Sequence, residues 1–388
     1  MKQKSIYIDG LGLVEGHFSG VGQYILGILK GIDELLEDRK YLGLEVPKIS
    51  VIIPHDTKAK FLKFGFKHVG FKTVPLSFRV MSALWRRRML PPLDLWCGPG
   101  VYIFPRFVSM PLAFSKSAIV IFDLSFELHR QYSDEGNAVF LTKQVRKSIE
   151  KTNRVLTISQ NARNEIIDFY QIDPAMVVVA TPATDPRLFY RRSKKEIEEV
   201  KSKYGIEGDY ILALSNLEPR KNLDSLVEAF CSLPKDIIKD TSLLLVGVSG
   251  WKTDTLFQKI ISKVNEGYNI IRPSSYVKDE DKPAIISGTK MLVYPSHYEG
   301  FGMPPLEALA CGVPVITANN SSLPEVVGSA GKMVPSDNLE KLTLAMEDYL
   351  RNIDNKTDKA RLEGPERARE FSWVKSAEEF LKVAKELS

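Results

Sequence analysis

The residues with the clearest chemical potential are two glutamates, Glu299 and Glu307, that flank a loop of Gly300, Phe301 and Gly302. Two prolines follow this loop and fit the first turn of a helix, where their missing N–H groups cost nothing, and we expect Glu307 in the same turn. A helix that opens on a glycine-rich loop offers backbone N–H groups and a positive dipole end, which suit a phosphate or a diphosphate.

The two carboxylates need a different ligand from phosphate. When ionised they only accept hydrogen bonds, and the paired hydroxyls of a sugar or ribose ring are suitable donors. An anion site beside two such carboxylates therefore predicts a nucleotide sugar. For the glutamates alone, a buried βαβ crossover with a surface glutamate at each end is the simpler interpretation, whereas the whole string EGFGMPPLEALACGVPVIT favours the ligand.

A basic pair, Arg220 and Lys221, lies between the apolar run YILALS and the amphipathic stretch LDSLVEAF. At the carboxyl end of a strand, arginine can bind phosphate oxygens through two hydrogen bonds while lysine adds a compact charge. The alternative for such a pair is an exposed basic turn. The sequence thus predicts a second group that can hold a diphosphate.

Glycines near the amino terminus are further candidates for phosphate binding. Gly20 and Gly22 precede a helix that we expect to start near Gln23, so their backbone could approach a diphosphate closely. Upstream, the stretch GLGLVEG is similar to a dinucleotide fingerprint, but its third glycine is one residue late and we expect no helix to open there. A nicotinamide enzyme is excluded on this ground, and Gly10 and Gly12 are expected to permit turns.

Two series of alternating elements must position these residues. Strand-like runs alternate with amphipathic helical stretches, and the linker between the series is expected at ATPATDPRLFYRRSKK. The apolar runs are SIYIDG, KISVIIP, VYIFP and AIVIFD in the first series and YILALS, SLLLVG, NIIRPSS, MLVYPS and VPVITA in the second. This pattern predicts an α/β protein with two doubly wound parallel sheets, whose ligands bind beyond the carboxyl ends of the strands.

Composition fits a globular enzyme of two domains, with 388 residues, 44% hydrophobic and 26% charged. The longest apolar runs are too short to span a membrane, and the amino terminus lacks the apolar stretch of a signal peptide, so we expect a cytoplasmic protein. The three cysteines are far apart, which suggests neither a disulfide framework nor a zinc site.

Positive charge is concentrated in the first half, where residues 1–190 hold 25 Lys and Arg against 18 Asp and Glu. Much of the excess lies between Lys58 and Arg88, interleaved with aromatic residues. One interpretation is an interfacial helix on anionic lipid, with Phe78 and Trp85 inserted and Arg86 to Arg88 on the head groups. A solvated basic face over an ordinary core is equally compatible, and nucleic acid is disfavoured because no binding module accompanies the patch.

Several of these strings together resemble the retaining GT-B glycosyltransferases of family 4, also called group 1. EGFGMPPLEALACGVPVI resembles their E-x7-E segment, FSGVGQYILGIL their amino-terminal glycine loop, and ALSNLEPRKNLDSLVEAF their phosphate-binding segment. SSYVKDED, SSLPEVVGSAG and REFSWVKSAEEFL are similar to the nucleobase loop, the helix after the motif and the carboxy-terminal helix. The resemblance spans nearly the whole chain, and its EPRKN form favours a mannosyltransferase that uses GDP-mannose.

The resemblance implies a GT-B architecture of two Rossmann-like domains facing a central cleft. Residues 1–186 would form the acceptor-binding domain and 187–364 the nucleotide-sugar-binding domain, while 365–388 would form a helix that crosses back to the first domain. Implied catalytic residues are Asp123, Arg220, Lys221 and Glu299. Implied donor-binding residues are Gly20, Gly22, Arg220, Lys221, Tyr276, Val277, Glu299, Gly300, Phe301, Gly302 and Glu307.

Individual roles also follow from the resemblance. Arg220 and Lys221 would stabilise the departing nucleoside diphosphate, Glu307 would bind the ribose and Glu299 the donor sugar. Tyr276 and Val277 would lie near the base. Attack on the same face as departure needs no protein nucleophile, and neither a metal nor another cofactor is implied. Ser296 is a further candidate for lining the sugar pocket.

One position departs from the family pattern. Relatives commonly carry His-Asp at the end of the strand here written AIVIFDLSF, whereas this chain has Phe122 followed by Asp123. Phenylalanine can neither donate a hydrogen bond to a sugar nor accept a proton. His129, six residues after Asp123, is a candidate replacement, although a lone histidine is more often a packing or surface residue.

The sequence therefore predicts a cytoplasmic retaining glycosyltransferase that transfers a hexose from a nucleoside-diphosphate sugar to a glycan or lipid-linked acceptor, with docking on the inner face of an anionic membrane as one of the two interpretations of its basic segment. Another GT-B enzyme, such as a sugar-nucleotide epimerase, is an alternative. A phosphorylase is disfavoured because the lysine context for pyridoxal binding is not found. A non-catalytic subunit that binds sugar nucleotides is a third alternative, motivated by Phe122.

Overall fold

The computed structural model describes residues 5–15, 19–37, 47–87 and 89–388. Gly16 and Phe18 of the glycine segments and Arg88 of the basic segment lie outside the described residues. Within these ranges the chain forms two compact units. The first comprises Met1–Leu128, Glu135–Pro182 and Ser372–Ser388, and the second comprises His129–Asp134 and Ala183–Phe371.

The first unit contains a parallel sheet of seven strands in the order β3-β2-β1-β4-β5-β6-β7. The strands are β1 (Ser5–Asp9), β2 (Lys48–Pro54), β3 (Gly70–Val74), β4 (Val101–Phe104), β5 (Lys116–Ile121), β6 (Arg154–Thr157) and β7 (Val177–Val179). The helices are α1 (Leu11–Val14), α2 (Gly20–Glu37), α3 (Lys58–Leu62), α4 (Phe78–Arg86), α5 (Asp94–Cys97), α6 (Ser125–Leu128), α7 (Glu135–Ile149) and α8 (Gln160–Tyr170).

The second unit contains a parallel sheet of six strands in the order β10-β9-β8-β11-β12-β13. The strands are β8 (Asp209–Leu214), β9 (Thr241–Val246), β10 (Ile270–Ile271), β11 (Met291–Tyr294), β12 (Val315–Ala318) and β13 (Lys332–Val334). The helices are α9 (Lys194–Tyr204), α10 (Leu223–Cys231), α11 (Lys235–Ile238), α12 (Asp254–Asn265), α13 (Lys282–Gly288), α14 (Met303–Ala310), α15 (Leu323–Val327), α16 (Leu339–Arg351) and α17 (Ile353–Arg369).

Both sheets reverse their strand order at one point, between β1 and β4 in the first unit and between β8 and β11 in the second. The register pairs Ile6 with Val101 and Leu292 with Leu212 across these points. In open α/β sheets, ligands bind outside the carboxyl ends of the strands at such a switch point. Ligand-binding sites are therefore expected in the loops after these four strands.

The last helix, α18 (Trp373–Leu387), belongs to the first unit. It begins later than the expected start near Pro365, because Pro365 lies inside α17. Trp373 packs against α2 where Gly27 and Gly31 leave room for it. A Cβ at Gly27 would lie 2.4 Å from the Trp373 ring, and one at Gly31 would lie 2.3 Å from the Trp373 carbonyl oxygen. These two glycines, one turn apart, let the helices approach closely.

The basic segment of the first unit folds differently from a single interfacial helix. It contains α3, the edge strand β3 and α4. The expected insertion of Phe78 and Trp85 into lipid is wrong, because both side chains pack against the core of the first unit. The large apolar side chains that α4 and the following loop expose are Val80 and Met89, at 46% and 65%. Within the described ranges, no helix has the length and hydropathy needed to cross a bilayer.

Candidate functional site

The loop after β8 places the basic pair at the switch point of the second sheet. Pro219–Lys221 form a single 3-10 turn that ends at Asn222, whose φ of 54° is left-handed. Asparagine tolerates this conformation, and its side-chain amide donates to the carbonyls of Pro295 (3.1 Å) and Ser336 (2.7 Å). The N–H of His297 also donates to the carbonyl of Arg220 at 2.9 Å. The loops after β8 and β11 are thus joined through their backbones.

The cations of this loop are paired with carboxylates. Arg220 donates to Glu299 Oε2 at 3.1 Å and to Glu218 Oε1 at 3.0 Å. Lys221 Nζ donates to Glu299 Oε1 at 2.6 Å and to the Tyr294 hydroxyl at 2.9 Å. Glu299 therefore bridges the two residues that the sequence assigns to phosphate, and the four ionisable groups have a formal charge of zero.

Burial strengthens the electrostatic interactions among the residues of this cluster. Burial alone favours the neutral carboxyl of Glu299, but Arg220 and Lys221 outweigh it and lower its pKa to about 2. Burial lowers the pKa of Lys221, and the adjacent guanidinium of Arg220 lowers it further, whereas Glu299 acts in the opposite direction. Burial raises the pKa of Tyr294 well above its ordinary value, so its hydroxyl keeps its proton. Glu299 is a permanent acceptor that fixes both cations.

The glycine-rich loop is anchored from the segment before α15. The single hydroxyl proton of Ser322 is shared between the carbonyls of Glu299 (2.9 Å from Oγ) and Phe301 (2.6 Å), and Glu299 N–H donates to Ser321 Oγ at 3.0 Å. Gly302 has a φ of 126°, and a Cβ there would lie 2.9 Å from Leu323 Cδ2. Glycine is therefore required at this position. Gly300, by contrast, is buried without a left-handed φ.

The start of α14 offers fewer donors than the sequence suggested. Pro304 and Pro305 occupy its first turn and lack N–H groups, and Leu306 N–H is already bonded to the Gly302 carbonyl. The first turn contains no acidic residue, so the placement of Glu307 there is wrong: it is the fifth residue of the helix. The helix end contributes mainly its dipole, and Arg220 and Lys221 are the stronger anion-binding groups.

Glu307 lies in a separate cluster with α13. Burial raises its pKa to about 7, although Lys282 lowers it, and Asp279 adds to the increase. Burial lowers the pKa of Lys282, but Glu307, Asp279 and the Tyr276 hydroxyl outweigh it. Lys282 Nζ lies 2.6 Å from Asp279 Oδ1. The carboxyl of Glu307 thus changes charge near neutral pH beside a lysine.

The two residues assigned to the nucleobase differ in exposure. Tyr276 is 68% exposed, whereas Val277 is buried. The following residue, Lys278, donates its N–H to the Tyr204 hydroxyl at 3.1 Å, which fixes the loop on α9. The electrostatic interaction with Lys282 places Tyr276 in the same neighbourhood as Glu307. An exposed aromatic ring near a candidate ribose-binding carboxyl is suited to contact a base.

In the first unit, both candidate glycines lie inside a helix rather than before it. α2 begins at Gly20, so the expected start near Gln23 is wrong. Ser19 caps the helix, since its Oγ accepts from Gly22 N–H at 3.3 Å. The short α1 also begins at Leu11, where the sequence predicted no helix. The signal for the earlier start of α2 was Ser19, a favoured N-cap residue.

The unusual strand end after β5 is apolar and packed. Phe122 is 8% exposed, and its ring lies 5.2 Å from that of Tyr24 and 5.3 Å from that of Phe107. Asp123 Oδ1 accepts from Ser125 N–H at 2.9 Å and so caps α6. The position that the family pattern gives to histidine is therefore part of an aromatic cluster, and Asp123 has a structural bond.

His129 belongs to the second unit. Its ring lies 4.4 Å from that of Tyr298, and the ring of Tyr132 stacks on His297 at 5.2 Å. Trp251 Nε1 donates to the Tyr132 carbonyl at 3.0 Å and secures the segment. Since Tyr298 also accepts from Arg220, at 3.0 Å, His129 lies one residue away from the charged cluster.

Sequence reasoning missed several members of the site. Glu218 and Asn222 stand within the string EPRKN itself, so their adjacency to the basic pair was the available signal. Tyr294 ends an apolar strand and is indistinguishable there from a core residue. Lys282 is a lysine at a helix start without any sequence signal. Among the residues that the structure describes, no group of three or more His, Cys, Asp or Glu could hold a metal ion.

Known proteins resemble this chain in both sequence and fold. Residues 195–367 match the family described as glycosyl transferases group 1. The O-antigen chain mannosyltransferase B of Escherichia coli is 29% identical over 364 residues, which cover 92% of this chain and 93% of that protein. The serotype-specific mannosyltransferase WbdA of Escherichia coli is 29% identical over 238 residues, which cover 59% of this chain but 28% of that longer protein.

Solved structures match over almost the whole length. HepE of Anabaena in complex with UDP has a TM-score of 0.66 at 14% identity, with 99% of this chain and 100% of that chain covered. WaaG, a glycosyltransferase involved in lipopolysaccharide biosynthesis, has a TM-score of 0.64 at 15% identity, with 99% of each chain covered. These likenesses, with the two parallel sheets, confirm the predicted fold.

Proposed function

We propose that this glycosyltransferase moves mannose from GDP-mannose, with retention, onto a glycan or lipid-linked acceptor. Residues 195–367 match the group 1 glycosyl transferases, and the chain has the GT-B fold. The observation that carries the proposal is the Arg220, Lys221 and Glu299 cluster at the switch point of the second sheet. The likeness to O-antigen chain mannosyltransferase B supports mannose as the sugar and polysaccharide synthesis as the setting.

In this proposal Arg220 and Lys221 bind the diphosphate and Glu299 orients them. A dianionic diphosphate adds negative charge to a cluster of zero formal charge, so binding depends on strong, directed hydrogen bonds rather than on surplus positive charge. Glu299 remains ionised because of its pKa of about 2, and its remaining lone pairs accept a hydrogen bond from a hydroxyl of the donor sugar. No metal takes part in this scheme.

Glu307 would accept the ribose hydroxyls, and Tyr276 and Val277 would contact the base. Hydroxyl donors favour the ionised carboxylate, and Lys282 beside it supports that form. Bound nucleotide should therefore lower the pKa of Glu307 from about 7. Ligand binding and ionisation of this carboxyl are coupled in the proposal.

The reaction would proceed on one face of the donor sugar. The bond between the anomeric carbon and the diphosphate oxygen breaks, the acceptor oxygen bonds to the same face, and the acceptor proton passes to the departing diphosphate. The protein contributes positioning and stabilisation of the developing negative charge through Arg220 and Lys221. Asp123, which caps α6, would hold the strand end near the acceptor rather than exchange a proton.

Removal of one cation tests the donor site. We expect Arg220→Ala and Lys221→Ala each to weaken GDP binding about tenfold or more, since a hydrogen bond to a charged group contributes about 1.5–3 kcal/mol. Lys290→Ala is the matched control, because Lys290 pairs with Asp209 at the opposite edge of the same sheet. Calorimetry with GDP measures the change. A GDP affinity that stays at the wild-type value in Arg220→Ala and Lys221→Ala, as in the control, would exclude the assignment.

Transfer itself is tested with GDP-mannose and a panel of mannosides, with the anomeric proton coupling and carbon shift of the product as readout. An inverted linkage would contradict retention. Tight donor binding without transfer or hydrolysis across the panel would instead favour the non-catalytic binding subunit, for which the buried aromatic Phe122 is the supporting observation.

A membrane-facing role is a separate part of the proposal. The exposed groups available for it are Arg79, Arg86 and Arg87 with Val80 and Met89. At low salt, where screening is weak, the protein should sediment with phosphatidylglycerol vesicles. Exchanging the three arginines for glutamine removes the positive charges that attract anionic lipid and should abolish this sedimentation. Unchanged sedimentation of the variant would contradict docking through this face.

A further inference from the structure

The switch point of the first sheet holds its own charged cluster. Asp9 is the last residue of β1, and Arg106 follows the end of β4 by two residues. Glu15 follows α1, and its Oε1 lies 3.2 Å from Arg106 Nη2. These positions in the first sheet correspond to those of the donor cluster in the second, since both clusters follow the two strands between which the order reverses.

Arg106 is held in place by packing and by its backbone. Its guanidinium lies 5.0 Å from the Trp85 ring. The next residue, Phe107, has a φ of 65°, which is a genuine outlier for an aromatic residue. The N–H of Val108 donates to the Arg106 carbonyl at 2.8 Å and closes a three-residue turn. Strained backbone of this kind is concentrated at functional sites.

The aromatic replacement at Phe122 supports this turn. Phe107 packs 5.3 Å from Phe122 and 6.0 Å from Phe126, measured between ring centroids. A histidine at position 122 would have been a polar group at the adjacent strand end. In this chain that strand end is apolar and secures the turn that presents Arg106, so the polar group of the switch point is supplied by the loop after β4.

The cluster has hydrogen-bonding capacity that the described residues leave unused. Arg106 Nη1 and Trp85 Nε1 are buried and have no acceptor within the described ranges. The side chains of Glu15 and Arg106 keep 35% and 17% of their surface exposed, so Glu15 is the accessible carboxylate. Asp9 is buried, and burial raises its pKa against the opposing effect of Arg106.

The charges select the kind of ligand. The guanidinium of Arg106 is balanced by Glu15 and Asp9, and Lys60 donates to the Val14 carbonyl at 3.1 Å. The accessible carboxylate of Glu15 would repel a phosphate, whereas in the donor cluster Glu299 is buried and two adjacent cations are available to hold one. A fixed carboxylate beside a fork of N–H donors instead suits vicinal hydroxyls, which donate to the one and accept from the other.

We propose that Glu15 and Arg106 form a binding site for a neutral saccharide, in which Glu15 accepts from one ring hydroxyl of the acceptor and Arg106 donates to its neighbour while orienting Glu15. This inference rests on the proposed function for the identity of the acceptor as a sugar. It adds two specificity-determining residues to the first unit.

The test compares Glu15→Gln and Arg106→Lys with Glu386→Gln, a control from the Arg154–Glu386 pair at the amino edge of the same sheet. Readouts are the KM and kcat for transfer from GDP-mannose to octyl α-mannopyranoside, the Kd for GDP, and saturation-transfer NMR with methyl α-mannopyranoside. We expect KM to rise about tenfold in the first two variants, with kcat, GDP affinity and melting temperature unchanged. The control should match the wild type.

Three outcomes would overturn the site. They are an unchanged KM and NMR signal in both variants, a wild type that binds no neutral mono- or disaccharide, or tighter, Arg106-dependent binding of mannose 6-phosphate than of the neutral glycoside. A wild type that binds neither GDP nor GDP-mannose would contradict the proposed function. Saccharide binding measured by NMR would then still test the Glu15 and Arg106 site by itself.

Discussion

Glu299 and Glu307 are both buried, yet their pKa values lie far apart, at about 2 and about 7. The difference comes from their partners. Glu299 is bonded to both a guanidinium and an ammonium, whereas Glu307 has Lys282 and is also repelled by Asp279. Two carboxylates of one motif are thereby given different roles, one as a fixed acceptor and one as a group that titrates.

The raised pKa of Glu307 predicts a pH dependence of stability. An unfolded chain releases this proton near pH 4.5, whereas the folded chain retains it to about pH 7, so folding loses stability as pH rises through this window. We expect Glu307→Gln to gain stability relative to the wild type between pH 5 and 7, up to about 3 kcal/mol at 1.36 kcal/mol per pKa unit.

Urea denaturation at several pH values measures the gain. Glu363→Gln is the control, since Glu363 forms an exposed pair with Lys359 on α17. A stability difference between Glu307→Gln and wild type that stays constant from pH 5 to 8 would contradict the raised pKa.

Phe122 is the residue at which the chain departs from the family pattern that it otherwise resembles, and its packing predicts the effect of introducing histidine. Phe122→His would bury a polar ring between Tyr24 and Phe107, at a cost of about 1–3 kcal/mol. We expect a lower melting temperature and no gain in transfer rate, with Phe122→Leu less destabilising. A histidine variant that is both stable and faster would show that the strand end has room for a polar group.

The sequence was sufficient to select the charged residues of the candidate donor site, but it did not predict that they form ion pairs with one another. Arg220, Lys221 and Glu299 were each selected from local strings, and the structure brings them within hydrogen-bonding distance. What no local string could give is that Glu299 neutralises the two cations, because that contact joins loops 78 and 79 residues apart. Their roles toward a donor remain predictions.

At the scale of elements, most strands were predicted from apolar runs, even the two-residue β10, whereas β3, β6, β7 and β13 were not. Parallel strands covered on both faces read as continuous apolar runs, as β5 and β9 do. β3 is largely exposed and contains a lysine, and β13 has three residues with an exposed lysine at its start. Hydropathy carries no signal for these two exposed strands, and in the sequence β3 is part of a basic segment.

The contact between α2 and α18 predicts the effect of added methyl groups. At Gly31 a Cβ would lie 2.3 Å from backbone oxygen, which cannot move aside as a flexible side chain can, so Gly31→Ala should destabilise by about 1–3 kcal/mol despite the better helix propensity of alanine. Gly20→Ala is the matched control in the same helix, because no atom lies within 4 Å of its added Cβ. Equal melting temperatures for the two variants would contradict the close approach.

At the scale of the whole molecule, the resemblance identified from motifs is confirmed by the family match over residues 195–367 and by solved structures that share the fold. Motifs could identify the family because they cluster at the carboxyl ends of strands, where chemistry restricts residue choice. They could not give the boundaries of the two units, since the short segment His129–Asp134 joins the second unit through aromatic contacts rather than through a motif.

Truncation after Phe371 should affect the units unequally. Removal of residues 372–388 takes Trp373 and Phe380 away from Tyr24, whereas residues 183–371 of the second unit stay intact. We expect amide exchange in α2 to accelerate at least a hundredfold, because loss of large buried side chains costs several kcal/mol. GDP affinity should persist. Unchanged protection of α2 on hydrogen exchange would contradict the contribution of α18.

The same chain order has a consequence during synthesis on the ribosome. The first unit needs α18, which follows the whole second unit in the chain, so the groove of α2 at Gly27 and Gly31 stays uncovered while the second unit can already fold. Domains commonly fold in the order of their emergence, amino-terminal first. We expect the reverse order here, with the unfinished first unit exposed to chaperones until α18 has emerged.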